Sequence, residues 1–131
     1  MSRTSGRRAI VLSVAVLMVA LTALYVARRF DTQRSAELLH QRMADLNRDI
    51  HRDLPPGSEG SDVIKFLDAH SIDHSPIMPD FIEKRAAFTI QAQTRERIRT
   101  ANYPCSIHIE FSFNEAMRLT SYTDEFSCYG P

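Results

Sequence analysis

The chain has 131 residues with 16 basic and 16 acidic side chains, a formal charge of zero, and its length leaves room for one soluble domain at most. The charge is unevenly placed: every acidic residue follows Phe30, whereas Arg3, Arg7 and Arg8 precede an apolar run. From Arg28 onward 13 basic residues face 16 acidic ones, which argues against a dedicated nucleic-acid binder with its usual basic excess.

Residues 1–8 read as a short cytoplasmic tail. Residues 9–27, AIVLSVAVLMVALTALYVA, are 19 positions without a charge. A helix of that length reaches about 28 Å, close to the hydrocarbon thickness of a bilayer. Arg7 and Arg8 bound the run on one side and Arg28 and Arg29 on the other, while Tyr25 suits the outer interface. The rival reading, a cleaved signal peptide, requires a shorter apolar region and a small-x-small site. Here Leu21 and Tyr25 occupy the minus-three positions of the available sites. The expectation is an uncleaved signal anchor in the inner (cell) membrane, with the N-terminus inside and the C-terminal domain periplasmic or otherwise extracytoplasmic.

Residues 28–54 form an amphipathic juxtamembrane helix. Leu39, Met43, Leu46 and Ile50 follow a 4-3-4 spacing, and Leu38 and Leu54 widen the stripe. That stripe either packs on the chain's own sheet or continues the membrane helix as a short parallel coiled coil, giving a homodimer through Leu39, Met43, Leu46 and Ile50. Leu54-Pro55-Pro56-Gly57 stops the helix. Residues 55–131 are the small α+β domain. Its helix has Ser61 as N-cap, Val63, Ile64, Phe66 and Leu67 as the apolar side, and an end near His70. Residues 71–79, SIDHSPIMP, read as loop.

Three strands complete the chain. Phe88, Ile90 and Ala92 alternate with polar residues, as do Cys105, Ile107, Ile109, Phe111 and Phe113. Asn114–Ala116 make a turn, and Leu119–Cys128 form the third strand with a bulge between Leu119 and Tyr122. The predicted fold is α+β: an N-terminal transmembrane helix, then two helices packed on a three-stranded antiparallel meander.

The segment PPG…SDVIKFLDAHSIDHS…FSFNEAMRLTSY resembles small bacterial envelope proteins of the BamE/SmpA kind, which implies a compact two-helix, three-strand domain and an envelope-assembly role. It also resembles membrane-anchored relatives that end in an aromatic-Gly-Pro tail, as in Tyr129-Gly130-Pro131. The likeness spans residues 54–131. It departs in lacking a lipid-bearing cysteine and in having Ser71 where a glycine is expected.

Candidate chemistry is sparse. If Phe113 faces Thr120, then Phe111 meets Tyr122, Ile107 meets Phe126 and Cys105 meets Cys128, which places the two sulfurs near disulfide reach. The alternative is two buried free thiols, and a redox-catalytic pair lacks the C-x-x-C spacing. His70 and His74, with Asp68 and Asp73 nearby, straddle a helix end and read as solvated side chains rather than a metal clamp. Arg95, Arg97 and Arg99 form either a solvated hairpin loop or a contact for phosphates and lipid head groups. No nucleophile elbow or phosphate-cradling glycine loop exists. The expectation is a non-enzymatic protein-binding or envelope-assembly module with no cofactor and no nucleic-acid partner. The alternative is a small ligand- or lipid-sensing module using the Arg95–Arg99 loop.

Overall fold

The computed structural model describes residues 3–81, 86–95, 98–99 and 103–128, without the side chains of 3–9 and 98–99. Arg97 and the Tyr129–Pro131 tail therefore lie outside the described residues. The architecture is α+β. Helix α1 (Arg3–Asp53) is a single helix of 51 residues, about 77 Å long. It joins the apolar run and the juxtamembrane stripe without a break, so the expected division at residue 28 does not interrupt the backbone. This follows from a sequence that offers no Pro or Gly between Gly6 and Pro55. Along the apolar run the side chains are exposed, and among the described residues α1 is the one helix long and apolar enough to cross a membrane. Within the run Thr22 donates its hydroxyl to the carbonyl of Met18 at 2.7 Å, which satisfies it inside the helix.

Helix α2 (Gly60–Ala69) precedes an antiparallel sheet of three long and three short strands. The long ones are β3 (Phe88–Thr94), β5 (Pro104–Phe113) and β6 (Leu119–Cys128); the short ones are β1 (Ile72–His74), β2 (Met78–Pro79) and β4 (Ile98–Arg99). β5 sits between β3 and β6, which is the predicted meander. β1 and β2 add to the outer side of β3, and β4 pairs with the start of β5. The stretch 71–79, expected as loop, thus contributes two edge segments. Prolines are tolerated there because an edge strand needs no inward N–H at every position. Ser75 bridges the gap: its N–H donates to Gln91 O at 2.8 Å and its hydroxyl accepts from Gln91 N at 3.0 Å.

The core lies between the inner face of the sheet and one side of each helix. Ile90, Ile107, Ile109, Phe111 and Phe113 meet Leu39, Leu46, Ile50 and Leu54 of α1 and Val63, Phe66 and Leu67 of α2. Met43 packs against this cluster from its rim. The juxtamembrane stripe is therefore buried against the chain's own sheet, Ile50 being only 1% exposed. This corrects the expectation of a homodimer through Leu39, Met43, Leu46 and Ile50: the sheet's apolar face occupies the surface such a dimer would use. On the opposite face of α1, Arg48–Asp45 and Arg52–Asp49 form i,i+3 pairs at 3.1 Å.

Local turns differ in detail from the prediction. The N-cap of α2 is Glu59, not Ser61. Gly60 N–H instead donates to Met117 O at 3.0 Å, so the β5–β6 turn satisfies the helix start that a serine would otherwise cap. A Cβ on Gly60 would sit 2.7 Å from the Ile77 side chain, so glycine allows this close approach. Ser71 takes a φ of 55°, the left-handed geometry of a residue just past a helix end. The β5–β6 turn extends to Arg118: Asn114 Oδ1 accepts from Ala116 N and Arg118 N at 3.0 Å, and Met117 has a φ of 58°. The predicted bulge is present. Phe113 pairs with Leu119 rather than Thr120, and the register shifts between Ser112 and Phe113.

Pro55–Ser58 form a turn in which Ser58 N donates to Pro55 O at 3.1 Å. Proline at the second position and Gly57 with a φ of 91° at the third fit a type II turn. A Cβ on Gly57 would meet nothing within 4 Å, so the requirement is conformational and not steric. Gly57→Ala is expected to lower unfolding stability by about 1–2 kcal/mol, measured by urea denaturation of the full chain in detergent.

Candidate functional site

The outer edge of β6 lies beside one side of α1. β6 is the last strand on its side of the sheet: among the described residues it pairs with β5 and with no other named strand. The direction of its main-chain groups follows from the ladder. Gln91 N and O face Ser75, so Ile90 and Ala92 bond toward β5, at Phe111 and Ile109. Alternation then turns Glu110 and Ser112 toward β6, at Thr123 and Ser121. The same alternation turns the N–H and C=O of Tyr122, Asp124 and Phe126 away from β5. The donation of Ile107 N to Thr94 Oγ1 at 3.0 Å agrees with this phase. So does the 4.1 Å Cα separation of Cys105 and Cys128, which is typical of a pair that exchanges no ladder bonds.

Both ends of this edge are tied. At the start, Gly57 N donates to Leu119 O and Leu119 N to Ser58 O, each at 2.8 Å. At the end, the sulfurs of Cys105 and Cys128 lie 2.02 Å apart, at disulfide distance. That pairing follows the register expected from the sequence. Closure of a loop between residues 23 apart restricts the unfolded chain and contributes about 2–4 kcal/mol.

Between these ends, β6 meets three α1 side chains: His40, Asn47 and His51. His40 meets the Phe126 ring edge-on at 5.3 Å, and His51 meets Tyr122 at 5.7 Å. A hydrogen-bond chain crosses the interface. His51 Nδ1 lies 2.8 Å from Asn47 O and 3.0 Å from the Tyr122 hydroxyl oxygen, and it donates to both because the carbonyl can only accept. The Tyr122 hydroxyl donates to Asn47 Oδ1 at 3.0 Å, and Asn47 Nδ2 donates to Asp124 Oδ2 at 2.8 Å. Burial, and then the Asp124 carboxylate, hold the Tyr122 hydroxyl above its ordinary pKa. A cavity of about 270 Å³ lies where α1 ends, lined by His51, Leu54, Pro56, Leu119, Thr120, Ser121 and Tyr122. It offers room for one apolar side chain beside the open edge.

The remaining sequence candidates lie elsewhere. Arg95 donates to Asp73 at 2.6 Å in an exposed pair, Arg99 is in β4, and the structure brings neither to the groove. His70 and His74 are not joined. His70 Nδ1 bonds Phe66 O at 2.9 Å and its Nε2 lies 3.8 Å from Asp49. His74 reaches Ser75 O at 2.9 Å and Asp68 at 3.1 Å. No cluster of three metal-ligating side chains occurs among the described residues. The sequence alone does not single out Asn47 and His51, which flank the apolar stripe and carry no motif. Their i,i+4 spacing on its flank was the available signal.

No family model matches the chain, and no curated protein or solved structure matches it.

Two outcomes test these contacts. Asn47→Ala removes the donor that the half-buried Asp124 relies on and should lower stability by about 1–3 kcal/mol, with Asp124→Ala adding little to it in a double variant. At His74 both ring nitrogens face acceptors, the Ser75 carbonyl foremost and then the Asp68 carboxylate, which favours the imidazolium and raises its pKa above 6.5. The folded state binds that proton more tightly than the unfolded chain. The contribution is full below pH 6.5 and is lost as the pH rises through the folded-state pKa. Melting scans from about pH 5.5 to about pH 8.5 should show a decline in Tm that His74→Gln flattens.

Proposed function

We propose that the chain is a membrane-tethered, non-catalytic binding module that captures an extended segment of a partner protein along the outer edge of β6. The observation that carries this reading is the row of outward main-chain groups at Tyr122, Asp124 and Phe126, held between the Gly57–Ser58 turn and the Cys105–Cys128 pair. A strand added there gains main-chain hydrogen bonds, and a neighbouring pocket selects a side chain. The cavity beside Leu54, Pro56 and Leu119 supplies that pocket. Because both ends of the edge are tied, little ordering cost falls on binding.

The tether is the exposed apolar part of α1. Paired cysteines suit an oxidising compartment, and arginines precede the run at Arg3, Arg7 and Arg8. Together these favour a domain held outside the cytoplasm on the cell membrane of a bacterial envelope, where capture of extended segments serves envelope assembly. Arg28 and Arg29 on the far flank weaken the charge asymmetry, so the cysteines weigh more in this assignment.

The test isolates the main chain of the edge. A photo-reactive residue at Thr123 or Glu125, in cells making the full chain, is expected to yield one discrete adduct that the same probe at Gln91 does not. Asp124→Pro removes the central outward N–H and leaves the β5 ladder intact, whereas Asp124→Ala removes only the side chain. Loss of the adduct by about tenfold in the first, equivalent to ~1.4 kcal/mol, with retention in the second supports edge capture. Equal adducts in both variants, with folding verified by thermal melting, reject it.

A further inference from the structure

The end of the sheet that carries the β3–β5 connection points back along α1 toward the apolar run. The contacts of His40 with Phe126 and of His51 with Tyr122 show that β6 descends toward that run as α1 climbs away from it. Cys105, Cys128, Arg95 and β4 therefore lie at the tether end, and the Asn114–Arg118 turn lies at the far end. β4 packs against α1, and Arg42 and Arg95 line one cavity of about 110 Å³ with Ile72 and Thr94.

Helix and strand rises convert this order into heights. His40 is 13 residues beyond Ala27, about 20 Å along the helix. Cys128 is two strand residues nearer than Phe126, about 7 Å lower. Arg99, paired with Pro104 one step beyond Cys105, comes to about 10 Å above the end of the apolar run. Arg34 on α1 stands at the same height, about 10 Å. The head-group layer extends ~5–7 Å beyond the hydrocarbon on each side, and the exposed side chain of Arg34 is long enough to span the remaining gap.

Charge at this end favours an anionic surface. Arg28, Arg29, Arg34, Arg42, Arg95 and Arg99 outnumber Asp31, Glu37, Asp73 and Glu125, the last two on one rung of the sheet. The Arg95–Asp73 pair is exposed, with 65% and 62% of the side chains accessible, and so is readily exchanged for a phosphate contact.

We infer that this end of the domain rests on an anionic lipid leaflet, with Arg34 meeting head-group phosphates and the charges of Arg42, Arg95 and Arg99 adding to the attractive field. The inference rests on the tether reading and goes beyond edge capture: the leaflet contact fixes the height and tilt at which the β6 edge is presented.

The chain has no tryptophan, so single reporters can be introduced cleanly. Full-length chain carrying Tyr103→Trp, at the tether end, is reconstituted into vesicles of phosphatidylcholine alone or with phosphatidylglycerol, each containing a dansyl lipid as energy acceptor. Transfer is expected to be higher in the anionic vesicles and to fall to the phosphatidylcholine value at high salt. The same fall is expected in an Arg34→Gln/Arg99→Gln double variant. Met117→Trp, at the far end, is expected to give equal transfer in both vesicles. Equal transfer from the Tyr103→Trp reporter whatever the lipid, or a difference that survives the double variant, overturns the inference. A Tyr25→Trp reporter separates the two readings. Strong transfer there alongside an unresponsive Tyr103→Trp reporter sinks the leaflet contact alone, whereas no transfer there sinks the tether and the contact together.

Discussion

The structure depends on the burial of one helical stripe. Leu39, Leu46, Ile50 and Leu54 are the α1 side chains that close the inner face of the sheet, and each contributes about 1.5–3 kcal/mol by leaving water. Uncovered, the apolar face of the meander would lie open to water. What sets this chain apart is that the cover is the far end of the same 51-residue helix that bears the exposed apolar run. From Ala27 to Leu39, where the buried stripe begins, the helix runs unbroken for about 18 Å. The domain is therefore coupled to the run by a helical rod and not by a floppy linker, so any direction imposed on the first third of α1 is transmitted to the sheet.

The polar chain through Asn47 has a different energetic role from the stripe. Apolar burial is tolerant of small slips, whereas the Tyr122–Asn47–Asp124 hydrogen bonds are made in one register only. A strand displaced by two residues would leave the Asp124 carboxylate without its donor and would part Cys128 from Cys105. The edge strand is thus fixed at its start by the Gly57–Ser58 turn, in its middle by Asn47, and at its end by the cysteine pair. Rigidity on an edge is unusual, because edges are where sheets fray first, and it is the property a recognition edge needs.

Much of this was legible in the residues. The alternation of Cys105 to Phe113 and of Leu119 to Cys128 specifies which faces turn inward, and the break after Leu119 marks the bulge. The opposed cysteines follow from the same count. Three features were not legible, each for a physical reason. The edge pairing of 71–79 was hidden because proline and serine are loop residues by propensity, and only the free outer side of β3 makes them strand. The N-cap of α2 was misplaced because its first N–H is satisfied by a residue far along the chain, Met117, and local sequence cannot report a tertiary bond. The groove depends on which flank of the stripe meets β6, and helical periodicity alone leaves that open.

An edge whose outward groups at Tyr122, Asp124 and Phe126 meet no other strand among the described residues raises the question of why the chain does not pair with itself. For copies held in one bilayer the tether answers in part. All such copies share the direction of α1, and β6 runs opposite to it, as the His40–Phe126 and His51–Tyr122 contacts require. Two neighbouring β6 strands then run the same way, and the antiparallel pairing that every strand pair of this sheet adopts would demand a helix inserted in the reverse sense. Parallel pairing about a twofold axis remains, but it turns equivalent residues to opposite faces and sets Asp124 of one copy diagonal to Glu125 of the other, and like charges on neighbouring strands destabilise a sheet. A segment from another protein meets neither obstacle. It can approach in the antiparallel sense and carry side chains that suit Asp124 and Glu125. On the proposed reading, the anchoring that would keep the edge from its own kind would leave it open to an extended partner.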